Sequence, residues 1–259
     1  MRWICRSLET KKGFSLLEML VAMAVLILLV TLLSMTLSQT SLAVFNTRDR
    51  SDIEARAGLV FSIFGRDFNQ SILSVRDISP AEKKPGNDTV SFYTKRRGYT
   101  GDRPLSAVTY EVLDGELRRG AVGQKFGVSS DVAGREILRI DPLAPIPKPV
   151  TEDNQVVASG VVRMEVGYID SSSSEASFVV NWPGTAKVTS VLVTLVMVEG
   201  EGRVSLDSTQ LAALEEFFPD ASDGEPPLAG WQALAQNTDG SLPTAIHRSL
   251  RVYQRFFAL

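Results

Sequence analysis

The first apolar stretch, Phe14 to Leu37, reads FSLLEMLVAMAVLILLVTLLSMTL and carries one charge, Glu18. At 1.5 Å per residue a helix of this length spans about 36 Å, enough to cross a hydrocarbon core of about 30 Å. From Gln39 to Asp52 the chain turns polar, with Arg48, Asp49, Arg50 and Asp52. Apolar residues then return at helical spacing: Ile53, Ala57, Val60, Phe61, Phe64, Phe68, Ile72 and Val75. Intervals of three and four put them on one face, so the pattern predicts a helix to about Val75 whose stripe packs on a globular body. The phenylalanines of that stripe are expected as core. Gly58 and Gly65 are expected to bend the helix or to permit close packing.

Beyond Thr89 the period changes to that of strands. Short β-type runs occupy Thr89–Lys95, Ala107–Leu113, Glu116–Arg119, Glu136–Ile140, Val156–Tyr168, Ser177–Trp182 and Val188–Val198. Asp114-Gly115 between two of them is a two-residue hairpin signal. Val188–Val198 is apolar on both faces, which predicts an interior strand covered on both sides, one cover being the N-terminal helix. The proline-bearing segment 142–155 and the acidic segment 219–230 read as loops. Asp207 to Phe218 reads as a short helix capped by Asp207 or Ser208. Pro243 to Leu250 reads as a helical turn, and Arg251–Leu259 as an edge or returning strand. The class is therefore α+β: one long helix and an antiparallel sheet with inserts.

Flanking charge sets the orientation of the apolar helix. Arg2, Arg6, Lys11 and Lys12 precede it, against Glu9. The positive-inside rule keeps that end cytoplasmic and carries the rest of the chain across the membrane. Formal net charge is −3 for the whole sequence. Removal of the leader, net +3, leaves the remainder at −6, a balance that does not suit a general nucleic-acid binder.

Composition narrows the chemistry. Cys5, in the leader, is the only cysteine, and His247 is the only histidine. Disulfides and thiolate metal sites are excluded from the remainder, and a histidine-based catalytic set is poorly supplied. No phosphate loop, H-E-x-x-H, G-x-S-x-G or EF-hand pattern occurs. Asp220, Asp223 and Glu225 offer oxygen ligands for calcium, but a solvated acidic loop is the simpler reading. Lys95, Arg96, Arg97 and Arg103 read as a solvated strand end rather than a DNA contact. His247 is expected at or near the surface, and Trp182 and Trp231 are expected in the core.

Glu18 is the residue this picture must explain. A secretory signal peptide has a shorter apolar region followed by a small-residue cleavage site, which is not seen here. A plain signal anchor fits the length but leaves unexplained a carboxylate that costs about 2.5–3.5 kcal/mol in lipid on insertion scales. Cleavage between Gly13 and Phe14 supplies a partner, because it creates an α-amino group about one turn from Glu18. Pairing that amine with Glu18 of a neighbouring subunit neutralises two charges that are expensive in lipid, and fixes axial register between subunits.

Lys11-Lys12-Gly13-Phe14-Ser15-Leu16-Leu17-Glu18, ahead of about 20 apolar residues, resembles the processing signal of type IV prepilins and type II secretion pseudopilins. The resemblance implies recognition of Lys11, Lys12 and Gly13 by a prepilin peptidase, cleavage after Gly13, N-methylation of Phe14, and an assembly role for Glu18. It implies no cofactor and no catalytic residue. The implied partners are other pilin or pseudopilin subunits, the peptidase/methyltransferase, the inner membrane and the assembly machinery. The implied division is a leader at 1–13, a membrane helix at 14–37, its periplasmic continuation at 38–76 and a β-rich pilin-like domain at 77–259. Major pilins commonly carry a proline in this helix. None occurs between Phe14 and Ser79, which leans toward a minor component. Gly65–Phe68, Tyr110–Arg119 and Arg251–Phe257 resemble the J-type minor pseudopilin, and the C-type member of Verru_Chthon cassettes is a similar match. A tip subunit that binds a surface or DNA, and a membrane-anchored enzyme, are the alternatives.

Overall fold

A computed structural model describes residues 15–72, 79–96, 105–123, 127–130, 136–139, 146, 154–173, 175–184, 186–199, 206–237 and 244–259. The chain divides into two compact units between Arg48 and Asp49. Helix α1, Leu16–Phe68, has 53 residues and contributes to both.

In the first unit α1 is apolar and unburied. Its most apolar window has a mean hydropathy of 2.8, and none of that window is covered by protein. The threonine hydroxyls in this region bond within the helix. Thr31, Thr36 and Thr40 donate to the carbonyls of Ile27, Leu32 and Thr36, each at 2.8 Å. Such back-bonding satisfies the hydroxyl within the helix itself.

In the second unit the remainder of α1 buries the expected stripe of Ile53, Ala57, Val60, Phe61, Phe64 and Phe68. The strands are β1 (Ala81–Glu82), β2 (Thr89–Thr94), β3 (Ser106–Leu113), β4 (Glu116–Gly123), β5 (Gly127–Ser130), β6 (Glu136–Arg139), β7 (Asn154–Ser159), β8 (Val161–Asp170), β9 (Ser177–Val179), β10 (Val188–Val198) and β11 (Leu250–Ala258). Among the described residues three short helices lie between β10 and β11: α2 (Ser208–Phe217), α3 (Pro227–Gln236) and α4 (Thr244–Ser249). All strand pairs are antiparallel. They form a five-stranded sheet, β1-β2-β3-β4-β7, a four-stranded sheet, β11-β10-β8-β9, and the ribbon β5-β6.

One core joins the α1 stripe to both larger sheets through Phe92, Tyr110, Met164, Leu195 and Phe257. A second lies on the other face of the four-stranded sheet, where Val196, Val198, Leu250 and Val252 meet Leu214 of α2, Trp231 of α3 and Ile246 of α4. β10 is therefore interior and covered on both faces, as its sequence predicts. Gly65 is a site of close approach: a Cβ there would stand 3.1 Å from the Phe257 ring, whereas one at Gly58 meets nothing within 4 Å.

Two elements differ from expectation. The helix stops at Phe68, not near Val75. Its last turn tightens through Gln70 N–H to Asp67 O and Ser71 N–H to Phe68 O, and Ile72 N–H then joins β2 at Tyr93 O, 2.9 Å. Ile72 accordingly packs with Tyr93 and Ala107 rather than in the stripe, and Val75 lies outside the described residues. The run Val156–Tyr168 is two strands in two sheets. Gly160, at φ +81°, turns the chain between them, and the amides of Gly160 and Val161 both donate to Gly115 O, at 2.7 and 3.0 Å. Asp114 (φ +52°) and Gly115 (φ +71°) form the expected hairpin turn.

Candidate functional site

Lys11, Lys12, Gly13 and Phe14 lie outside the described residues. Glu18 lies within them, one turn into α1 and exposed. Its amide donates to Ser15 Oγ at 3.3 Å, and Met19 N–H donates to Ser15 O at 3.2 Å. Ser15 thus starts the helix as its cap, with Glu18 at the third helical position. That Ser-x-x-Glu spacing is a capping-box signal, legible in the sequence and not used in the reading above. From Met19 to Thr47 no charged side chain follows, so the one carboxylate of the apolar stretch sits where helix N–H groups are still unpaired. The helix dipole favours a negative charge at that end.

The second unit holds a buried ionic knot at the other end of α1. Asp67, 0% exposed, accepts from Arg96 Nη1 and Arg119 Nε, each at 2.6 Å, and from the Tyr110 hydroxyl at 2.5 Å. Thr94 Oγ1 donates to Asp67 O at 2.9 Å. An acid in the last turn of a helix opposes the dipole, so this carboxylate depends on its two guanidinium partners. Burial first, and then the Asp67 charge, push the Tyr110 hydroxyl far above the usual phenol range, so it stays a donor. Arg96, expected as part of a solvated basic patch, instead points inward to Asp67. Arg97 and Arg103 lie outside the described residues.

A second polar cluster ties the segment before β2 to β8. Lys83 Nζ donates to Asp88 Oδ2, Glu165 Oε1 and Val166 O, each at 2.6 Å. The fully buried Arg163 pairs with Glu165 Oε2 at 3.2 Å and with Asp220, and stands 5.7 Å from the centre of the Trp231 ring. The acids of the expected solvated loop, Asp220, Asp223 and Glu225, are all exposed, and two of them also make contacts. Asp220 neutralises Arg163, and Asp223 accepts from Val180 N–H at 2.7 Å. Among the described residues no group of three or more His, Cys, Asp or Glu side chains is placed to hold a metal. His247 is more enclosed than expected, and Pro227–Gln236 forms a helix where the sequence reading placed part of a loop.

Burial raises the Asp88 and Glu165 carboxyls above their ordinary values of 3.8 and 4.5, with Lys83 opposing it in both and Asp88 adding to it in Glu165. The folded chain therefore holds protons that the unfolded chain releases. Stability from this pair is greatest at low pH and falls as pH rises from the ordinary values through the raised ones. Glu165→Gln is expected to flatten that decline of Tm with pH above about 4.5, whatever its effect on Tm itself. An unchanged slope would remove Glu165 as the cause.

A search of curated protein sequences found no match. Residues 10–34 match the family model described as the prokaryotic N-terminal methylation motif, a stretch that contains Lys11, Lys12, Gly13, Phe14 and Glu18. Among solved structures the chain is similar to a type IV-like pilin from Thermus thermophilus, at 16% identity and a TM-score of 0.38, over 79% of this chain and 94% of that one. The chain thus carries the prokaryotic N-terminal methylation motif at the head of a long apolar helix, with antiparallel sheets behind it.

Proposed function

We propose that the chain is a minor pilin or pseudopilin, a non-enzymatic subunit of a type II secretion or type IV pilus-like filament. A prepilin peptidase reads Lys11, Lys12 and Gly13, cuts before Phe14, and Phe14 is N-methylated. The subunit waits in the bacterial inner membrane with its N-terminus cytoplasmic and residues beyond the span periplasmic. It then joins sister subunits through the apolar helix, the Phe14 amine of one meeting Glu18 of the next. The observation that carries this reading is the isolation of Glu18: one carboxylate, one turn from the cleavage position, on a helix otherwise uncharged to Thr47.

The J-type minor pseudopilin reading has a separate support. The three segments that resemble that protein converge in space. Asp67 bonds Tyr110 and Arg119, and Phe68 meets Phe257 with ring centres 6.1 Å apart.

Intact mass of the membrane-extracted protein tests the processing. Loss of residues 1–13 and gain of one methyl group is expected, and a mature chain retaining the leader contradicts it. Glu18→Ala is expected to leave cleavage intact and to lower co-purification with sister subunits by about ten-fold or more, since about 1.4 kcal/mol suffices for each decade. Unchanged incorporation would separate Glu18 from assembly.

A further inference from the structure

Three of the four outer strands of the two larger sheets are poor templates for another chain. β1 has 2 residues, β9 has 3, and the β4–β7 ladder is broken by a register shift. Short or bulged edges are the usual protection against unwanted pairing. β11 differs: it has 9 residues, no proline, and an unshifted register with β10 along its whole length.

The phase of that ladder shows which backbone groups are free. Glu199 N–H donates to Ser249 O at 2.9 Å and Leu259 N–H to Thr189 O at 3.1 Å, one bond at each end. In an antiparallel pair, bonded and non-bonded residues alternate. The odd-numbered residues of β11 therefore bond to β10, and Val252, Gln254, Phe256 and Ala258 turn their N–H and C=O groups outward. Leu250 O also faces outward but accepts from Arg251 Nη1 at 2.8 Å. Among the described residues no strand pairs with this side.

A groove of about 560 Å³ lies along the first half of the strand. Arg50 and Glu54 of α1 form one wall, Gln232 and Gln236 of α3 the other, and Leu250–Tyr253 with His247 the floor. His247 is 4% exposed, and neither ring nitrogen has a hydrogen-bond partner. A buried polar group left unmatched beside a groove calls for an explanation, and a ligand group or a water supplied from the groove is one. Charge on the groove and strand is mainly basic, from Arg50, Arg248, Arg251 and Arg255 against Glu54, although Glu54 pairs with Arg50 and Glu199 with Arg251. On the other face of the strand, Phe256 is 54% exposed.

We propose that the outer edge of β11 binds an extended segment of a partner protein in which acidic and apolar side chains alternate. The segment adds a strand to the sheet through the outward main-chain groups of Val252 to Ala258. With a period of two, its acidic side chains lie beside Arg251 and Arg255 on the α1 face, and its apolar ones beside Phe256 on the opposite face. A carboxylate or main-chain group in the groove gives His247 its partner. The inference does not require the leader to be cleaved or Glu18 to act in assembly.

The test uses the full chain in detergent micelles and a fluorescent nine-residue peptide of alternating glutamate and valine. Controls are a lysine–valine peptide and a glutamate–valine peptide N-methylated at alternate residues, which cannot form the strand bonds. Both controls are expected to bind about ten-fold more weakly or worse, and amide exchange at Val252, Gln254 and Phe256 is expected to slow by about ten-fold when the first peptide binds. Gln254→Pro deletes an outward N–H that the ladder does not use, so the fold is expected to survive while binding falls about ten-fold. Arg255→Glu is expected to reverse the preference between glutamate and lysine peptides. Should Gln254→Pro not fold, the N-methylated peptide decides alone. Equal binding of that peptide, no saturation below about 1 mM, or unchanged exchange at these amides overturns the proposal. So does a concentration-dependent dimer that Gln254→Pro abolishes, which would assign the edge to a second copy of this chain.

Discussion

Asp67→Ala is expected to destabilise the second unit by about 3–5 kcal/mol, because it removes the fully buried carboxylate that Arg96, Arg119 and the Tyr110 hydroxyl share. Arg119 is 4% exposed, so water replaces the lost partner poorly. Tyr110→Phe removes one donor and keeps both ion pairs, and is expected to cost about 1–2 kcal/mol. Thermal unfolding of the full chain in detergent, followed by Trp182 and Trp231 fluorescence, separates the two. The knot also admits a sharper check. Replacing Asp67, Arg96 and Arg119 together with apolar residues is expected to recover much of the loss, since a buried pair exchanged whole is often neutral. A loss below about 1 kcal/mol for Asp67→Ala would show that the knot does not hold the second unit together.

Phe64→Ala is expected to cost about 3–5 kcal/mol by the same measurement. The Phe64 ring lies 5.7 Å from Phe68, 5.9 Å from Phe92, 5.0 Å from Tyr110 and 4.8 Å from Phe257. Those rings come from the helix and from both larger sheets, so no single movement closes the space left behind. Leu59→Ala, on the exposed side of the same helix, is expected to stay within about 0.5 kcal/mol. Equal losses at the two positions would contradict the packing of the stripe against the sheets.

Most of the secondary structure was legible because its signals are local. Period 3.6 marked the stripe, period 2 marked β2, β3, β4 and β10, and Asp114-Gly115 marked the hairpin. The misses share a non-local cause. Nothing in residues 69–76 forbids helix. The helix ends where the backbone of Ile72 finds Tyr93, a residue of β2. Residues 156–168 read as one β-type run, and the assignment of β7 and β8 to different sheets makes Gly160 a boundary. Pro226-Pro227 looked like loop, yet proline is welcome in a first helical turn, and α3 starts there.

The site divides in the same way. The processing signal is contiguous and could be read from eight letters. Asp67, Arg96, Tyr110 and Arg119 lie far apart in the chain, and no spacing rule joins them. Their residue types were visible but not their meeting. Asp220 was legible as an acid and not as the neutraliser of Arg163, since that pairing spans 57 positions.

Phe257 of β11 lies far along the chain from α1, yet its ring packs with Phe61, Phe64 and Phe68 near the start of the second unit. A polypeptide delivered from its N-terminus gains this contact only once β11 has been made, so the stripe lacks the Phe257 ring while all the strands before β11 are synthesised. Closure of the longest loop in the body and completion of its central packing are one event. Loss of β11 would therefore open the middle of the structure rather than trim its margin.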